Sequence, residues 1–195
     1  QDGPLTEAEN QMLLAWTALE MGEKALYLGV GATRGIEKLV EAYAAEAHFA
    51  SVERAKWADA LYDASREQFD LNFDGLAFAM SAISELVSNG LTLDGWRAKM
   101  PRVHRVRRDV ELREADRARC LRVFSQDETD AELGGGIRIQ RDDGWALITP
   151  DESQPRVSIV SESARAEFAD ELCAFCEKRL AQLLGGGEEN IHAQK

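Results

Sequence analysis

The stretch GWALITPDESQPRVSIVSE, residues 144–162, decides how this chain folds. Two short apolar runs, 145–148 (WALI) and 157–160 (VSIV), flank the polar loop TPDESQP at 149–155, with Pro150 and Pro155 near its ends. Proline cannot donate to a strand ladder, so the pair marks where pairing stops. The segment predicts two neighbouring strands joined by a loop. Just upstream, Asp142-Asp143-Gly144 is a hairpin signal, and 137–140 reads as a further strand. With a strand at 103–111, a helix at 114–124, an acidic glycine-rich mobile loop at 125–136 and a long helix at 164–184, the order is β-α-β-β-β-α. That order predicts a four-stranded antiparallel sheet covered by two helices on one side.

Working backwards, residues 1–98 alternate helix and strand. Thr6 and Glu9 have the spacing of a capping box, and Met12, Trp16 and Leu19 follow at helical intervals up to Gly22. Residues 25–30 (ALYLGV) suit a buried strand. A helix is predicted over 34–45, a second strand over 47–52, a helix over 53–64 and a brief alternating strand over 69–73. Asp74 opens a helix whose Leu76, Met80, Ile83 and Val87 are expected to face inward, ending at Gly90. A shorter helix covers 92–99. The fold class is therefore α+β / α/β: an α/β layer domain at 1–98, a hinge at 99–101 around Pro101, an α+β domain at 102–184, and a flexible tail at 185–195 that opens on three glycines.

The formal charge of −12 opposes non-specific nucleic-acid binding. Residues 1–98 hold 7 basic and 16 acidic side chains, whereas residues 97–122 hold 10 basic and 4 acidic. That basic run is a solvated, salt-bridged face or a rim attracting a phosphorylated ligand or an acidic partner surface. No apolar run reaches the 18 or so residues of a membrane helix. Three cysteines, Cys120, Cys173 and Cys176, make no disulfide framework and suit a reducing cytoplasm. The chain begins at Gln1 without methionine or secretory pattern, which favours a piece of something longer.

The loop at 149–155 resembles the phosphate-gripping loop Arg-Pro-Ser-Gly-Thr-Glu-Pro of the last domain of the phosphohexomutases, the phosphomannomutase and phosphoglucomutase family. Residues 91–110 (LTLDGWRAKMPRVHRVRRDV) look like the hinge between that family's third and fourth domains, and 69–87 like the helix-bearing end of the third. Residues 100–110 (MPRVHRVRRDV) resemble bacterial fusions of a mannose-1-phosphate guanylyltransferase-like domain with a phosphomannomutase-like region. The resemblance implies the C-terminal half of an enzyme that moves a phosphoryl group between positions 1 and 6 of a hexose. It implies partners too: the N-terminal domains of the same parent, which would supply a phosphoserine and magnesium, and a hexose phosphate. No cofactor is expected in this chain itself. The family's sugar-selecting Gly-Glu-x-Ser-Gly loop would fall at 64–70 (ASREQFD), where its glycines are missing.

The phosphate loop departs further. Thr149 stands at the arginine position, which removes a bidentate contact. Asp151 and Glu152 stand for serine and glycine, Ser153 keeps a hydroxyl, and Gln154 replaces glutamate. Like charges about 4 Å apart repel by about 4 kcal/mol at an effective dielectric of about 20. Phosphate would then rely on a metal or on Arg156, with Arg102 and His104 as further candidate anion contacts. The resemblance predicts the fold better than the activity.

Other signals are weaker. Gly29, Gly31 and Gly35 follow a strand and precede a helix, with Glu53 placed 24 residues after Gly29, near where a dinucleotide-binding acid would sit; a structural tight turn explains the glycines equally. Cys173-x-x-Cys176 lies on a helix whose stripe makes Cys176 core, and a zinc site lacks further ligands, since His48, His104 and His192 are scattered. Trp16, Trp57, Trp96 and Trp145 read as packing. The expectation is a degenerate, cytoplasmic accessory module that packs or oligomerises. A mutase half awaiting its other domains and a nucleotide-binding domain are the alternatives.

Overall fold

The structure is a computed structural model describing residues 3–49, 54–112, 116, 132–133, 136–141, 143–151 and 154–185. It divides into two compact units, Gln1–Val103 and His104–Lys195.

The first unit runs α1 (Glu7–Glu20), β1 (Ala25–Leu28), α2 (Gly35–Ala42), β2 (Glu46–Phe49), α3 (Arg54–Ala64), α4 (Arg66–Phe73), α5 (Gly75–Ser88) and α6 (Leu93–Lys99). The capping box forms: Thr6 Oγ1 accepts the Glu9 N–H at 3.2 Å and Glu9 Oε2 accepts the Thr6 N–H at 2.7 Å. Strands β1 and β2 pair in parallel, Ala25 opposite Glu46 and Leu28 opposite Phe49. The core is mainly helical, gathered around Met12, Trp16, Leu26, Ile36 and Trp96. A two-stranded parallel sheet leaves backbone edges open. Gln68, only 2% exposed, closes one: its Oε1 accepts the Tyr27 N–H at 3.0 Å and its Nε2 donates to the Ala25 carbonyl at 2.7 Å. One amide side chain does the work of a neighbouring strand.

Two expectations are corrected here. Residues 69–73 are the end of helix α4, not a strand. Phe69, Leu71 and Phe73 satisfy a period of two, but Phe69 and Phe73 are also helical neighbours, with ring centroids 4.8 Å apart. Ser65 settles the matter by capping the helix, accepting the Gln68 N–H at 3.1 Å. The second correction concerns α5. Its Leu76, Met80, Ile83 and Val87 face outward, at 71%, 64%, 61% and 72% exposure, while Ala82 and Leu86 are buried and Phe78 packs beside them. Residues 78, 82 and 86 form a second stripe at helical spacing, so periodicity could not choose between the two faces.

The second unit holds β3 (His104–Glu111), β4 (Glu132–Leu133), β5 (Gly136–Arg141), β6 (Gly144–Pro150), β7 (Arg156–Ser163) and α7 (Ala166–Gly185). The sheet is antiparallel, in the order β3-β7-β6-β5-β4. Four strands match the expected sheet, and the two-residue β4 extends its edge. Ile137, Ile139, Ile148, Val157 and Ile159 meet Leu172, Cys173, Cys176 and Leu180 of α7. The rest of the predicted helix at 114–124 lies outside the described residues, apart from helical Asp116, as do residues 125–131, 134 and 135 of the predicted loop at 125–136 and the tail beyond 185. The described part of that loop is strand, in β4 and at the start of β5.

The opposite sheet face carries a charged cluster. Trp145 and Glu162 are paired across β6 and β7 and are 0% and 1% exposed. Arg105 Nη2 donates to Glu162 Oε2 at 2.8 Å, the Trp145 indole N–H to Glu162 Oε1 at 3.4 Å, and the guanidiniums of Arg105 and Arg138 lie 5.5 and 4.7 Å from the Trp145 ring centroid. Gly144 belongs to the same pairing. A Cβ there would strike the Glu162 carbonyl oxygen.

Candidate functional site

The loop between β6 and β7 bridges adjacent antiparallel strands, with Pro150 opposite Val157 at its base. Inside it, backbone bonds join the Asp151 N–H to the Arg156 carbonyl at 2.9 Å and the Arg156 N–H to the Gln154 carbonyl at 2.8 Å. The Asp151 carboxylate then fills the turn. Its Oδ1 accepts the Gln154 N–H at 3.2 Å, and its Oδ2 accepts from Arg156 Nε at 2.7 Å. This hydrogen bond, ahead of the carboxylate's field, drives the Arg156 pKa further up. An amide donor and a guanidinium, the two groups that would grip a bound anion, are engaged by a carboxylate of the loop itself.

Strand β3 adds carboxylates that sequence reasoning did not connect to this loop. Glu111 is opposite Arg156 and Asp109 opposite Ser158 in the ladder. Asp109 Oδ2 lies 3.9 Å from Arg156 Nη1 and Oδ1 lies 3.2 Å from Arg107 Nε. Burial works against the Asp109 charge, but the hydrogen bonds from Arg107 and Ser158 and the fields of Arg107 and Arg156 outweigh it and hold its carboxyl below the usual range. Asp109, Glu111, Leu112, Gln154, Pro155 and Arg156 line a recess of about 360 Å³. Its charged rim is two carboxylates and one arginine already shared with a third. The pairing of β3 with β7 spans some fifty residues of sequence, so no local signal announced it.

The remaining candidates are dispersed. Thr149 pairs with Ser158 inside the ladder. Glu152 and Ser153 lie outside the described residues. His104 sits opposite Ser163 at the far end of β3, roughly 23 Å along the strand from Glu111 at about 3.3 Å per residue. Arg102 belongs to the first unit. In that unit, residues 64–70, the expected place of a sugar-selecting loop, form the α3–α4 junction, with Ser65 and Gln68 bonded to Glu23 at 2.8 and 2.9 Å.

The glycine turn after β1 is built around its own bonds. The Ala32 N–H donates to the Gly29 carbonyl at 2.9 Å, the Thr33 N–H to Gln11 Oε1 at 2.9 Å, and the Gly35 N–H to Thr33 Oγ1 at 3.2 Å. A Cβ on Gly35 would collide with the Met12 sulfur, so this glycine serves the packing of α2 on α1; a Cβ on Gly29 would meet nothing. Gly29 and Gly31 border a cavity of about 240 Å³, below the usual ligand range of about 300–1,000 Å³. Glu53 lies outside the described residues.

Cys173 and Cys176 are buried thiols, and burial pushes the Cys173 thiol up. Cys120 and His192 lie outside the described residues. Among the described residues no three His, Cys, Asp or Glu side chains converge as a metal centre requires. No single helix among them is long and apolar enough to cross a membrane.

No family model matches the sequence. Curated relatives do. A probable phosphoglucosamine mutase of Methanococcoides burtonii is 30% identical over 114 residues, covering 57% of this chain and 25% of the relative. One of Methanopyrus kandleri is 29% identical over 103 residues, covering 51% and 23%. The chain thus spans about a quarter of the length of the curated relatives it matches. Among solved structures, a phosphoglucomutase/phosphomannomutase family protein from Burkholderia thailandensis matches 96% of this chain and 43% of its own, with a TM-score of 0.70 at 13% identity. An N-acetylphosphoglucosamine mutase of Aspergillus fumigatus matches 89% and 43%, with a TM-score of 0.56 at 12% identity. Almost the whole of this chain therefore carries the fold of a phosphohexomutase segment.

Proposed function

We propose that this chain is a phosphohexomutase-like module that has lost its grip on phosphate. Its role is to pack on, regulate or oligomerise the remainder of a larger sugar-phosphate or sugar-nucleotide protein. One observation carries the reading: the Asp151 carboxylate holds the Gln154 N–H and the Arg156 guanidinium. An incoming dianion would have to displace a tethered anion whose effective concentration is far above that of any free ligand. It would also enter beside Asp109 and Glu111, against the repulsion of like charges.

Calorimetry with mannose 1-phosphate and glucose 1,6-bisphosphate is the direct test. Silence at millimolar ligand is the expected result. Saturable heat at micromolar ligand would favour the alternative, a mutase half whose phosphoserine and magnesium come from the missing domains. The internally bonded turn at Gly29–Gly35 gives nucleotide binding less support than either. An accessory role also predicts that the chain associates with the other domains of its parent, or with itself, without metal or nucleotide. The acidic composition disfavours a nucleic-acid partner.

A further inference from the structure

Helix α5 presents an apolar stripe to solvent. Leu76, Met80, Ile83 and Val87 follow at intervals of four, three and four residues, each 61–72% exposed. The helix is otherwise built of Gly, Ala, Ser, Phe and Leu, and its one charged residue is Glu85. On the helical wheel Glu85 lies nearly opposite the stripe's centre. A water-facing helix ordinarily places charge on its outer face, and contiguous exposed apolar surface marks an interaction site. The spacing is that of a helix that packs against another helix.

The surroundings say which kind of helix. Between residues 59 and 94 the chain carries seven carboxylates and one basic residue, Arg66, and Arg66 is taken by Asp70 at 3.3 Å. Helix α4, which brings Glu67 and Asp70, packs on α5, and exposed Asp74 caps it. A second copy of this chain would bring the same negative field against itself. Four side chains of this size, about two-thirds exposed, amount to roughly 160–320 Å² at about 25 cal/mol per Å² and 1.5–3 kcal/mol per buried side chain. A stable dimer buries about 800 Å² per partner, so the stripe falls well short for self-association by apolar contact alone. A partner that adds opposite charge makes up the difference in recognition and in rate of encounter.

We infer that the outer face of α5 is a docking site for a basic amphipathic helix of a partner polypeptide: an apolar stripe lies on Leu76, Met80, Ile83 and Val87, and its flanking lysines or arginines meet the carboxylates of the surrounding helices. This holds whether or not the β6–β7 loop takes phosphate, so the two readings fail separately.

The test uses the full chain and two synthetic helical peptides of one leucine pattern, with lysine at every polar position of the first and glutamate at those of the second. The expected result has three parts. The lysine peptide binds at least tenfold tighter than the glutamate peptide in low salt. The difference shrinks at high salt. The double variant Met80→Glu/Ile83→Glu, which alters only exposed positions and should keep its circular dichroism, loses at least tenfold. Since that variant adds negative charge, a loss separates docking on the stripe from diffuse attraction to an acidic protein. Equal affinity for both peptides, or unchanged binding by the variant, overturns the inference. So does light scattering that shows a dimer dispersed by Met80→Glu, which would make the occupant a second copy, or co-flotation with neutral phosphatidylcholine vesicles abolished by the same change, which would make it a lipid surface.

Discussion

Asp151 Oδ2 accepts from Arg156 Nε at 2.7 Å, across a five-residue connection that also turns the Gln154 amide onto Oδ1. A loop of this shape gathers donors, and donors gathered without an anion repel one another and strip each other of water. Here the chain provides the anion. The arrangement bonds the loop to itself and sets a carboxylate against its cation in one step; on the proposed reading, the same contact competes with any other anion.

Asp151→Ser should therefore reopen it. The Gln154 N–H and Arg156 lose their internal acceptor, and inorganic phosphate or a hexose phosphate should shift the backbone amide resonances of residues 150–157 at millimolar concentration, where the parent chain shows no shift. The triple variant Thr149→Arg/Asp151→Ser/Glu152→Gly should bind at least tenfold more tightly than the single one. If neither variant responds to phosphate, the electrostatic account of the loop is wrong.

Glu162 is a stability hinge of the second unit. Its 1% exposed carboxylate faces Arg105, itself 11% exposed, and the Trp145 indole. Removing one member of a buried pair costs about 3–5 kcal/mol, because the opposite charge stays buried. Glu162→Ala should lower the unfolding free energy measured in urea by that amount, and Arg105→Met/Glu162→Leu, which removes both charges, should recover most of it. A loss under about 1 kcal/mol for Glu162→Ala would show that Arg105 relaxes to water at little cost.

Two glycines test close approach by different means. At Gly144 an added methyl meets the Glu162 carbonyl within the ladder, and at Gly35 it meets the side chain of Met12. Backbone in a paired strand cannot step aside, whereas methionine repacks. Gly144→Ala should destabilise by about 1–3 kcal/mol, the usual range for overpacking, and Gly35→Ala by less. Thermal melts that rank them the other way would contradict the packing described here.

Gln68→Leu should expose the logic of the small sheet. It leaves the Tyr27 N–H and the Ala25 carbonyl without the amide that completes β1, and each orphaned buried group costs about 1–3 kcal/mol. Hydrogen exchange at Tyr27 should accelerate well beyond that of the α1 amides. Unchanged protection there would mean that water replaces the side chain freely.

Tyr43 sets an alkaline limit. Burial, with the hydrogen bond to Glu20 and that carboxylate's field, pushes its phenol from 10.0 up to about 12. The unfolded chain loses this proton first, so the contribution is whole below about pH 10 and drains away as pH rises towards 12. Stability plotted against pH should fall more steeply across that window for the parent than for Tyr43→Phe. Parallel curves would sever the link.

Much of the second unit was legible in the sequence, because hairpin chemistry and alternation are local. The strands at 137–140, 145–148 and 157–160 and the closing helix could be read from prolines, the Asp-Asp-Gly turn and spacing two or four residues apart. The suspicion that Asp151 opposes an anion came from the loop's resemblance to the phosphohexomutase phosphate loop, whose prolines match Pro150 and Pro155. What could not be read was which groups Asp151 would hold, since that depends on the loop turning Gln154 and Arg156 back upon it.

The first unit shows the limit from the other side. Composition established an acidic segment, periodicity gave an alternation of helix and strand, and Thr6 and Asp74 located the starts of two helices, since a cap is satisfied within three residues. Three features were decided only in three dimensions: helix over strand at Phe69–Phe73, the outward turn of Leu76, Met80, Ile83 and Val87, and the placing of Asp109 and Glu111 beside the β6–β7 loop. In each case one sequence satisfied two local rules equally, or joined residues far apart in the chain. Burial and long-range strand register, which no window of neighbouring residues contains, made the choice.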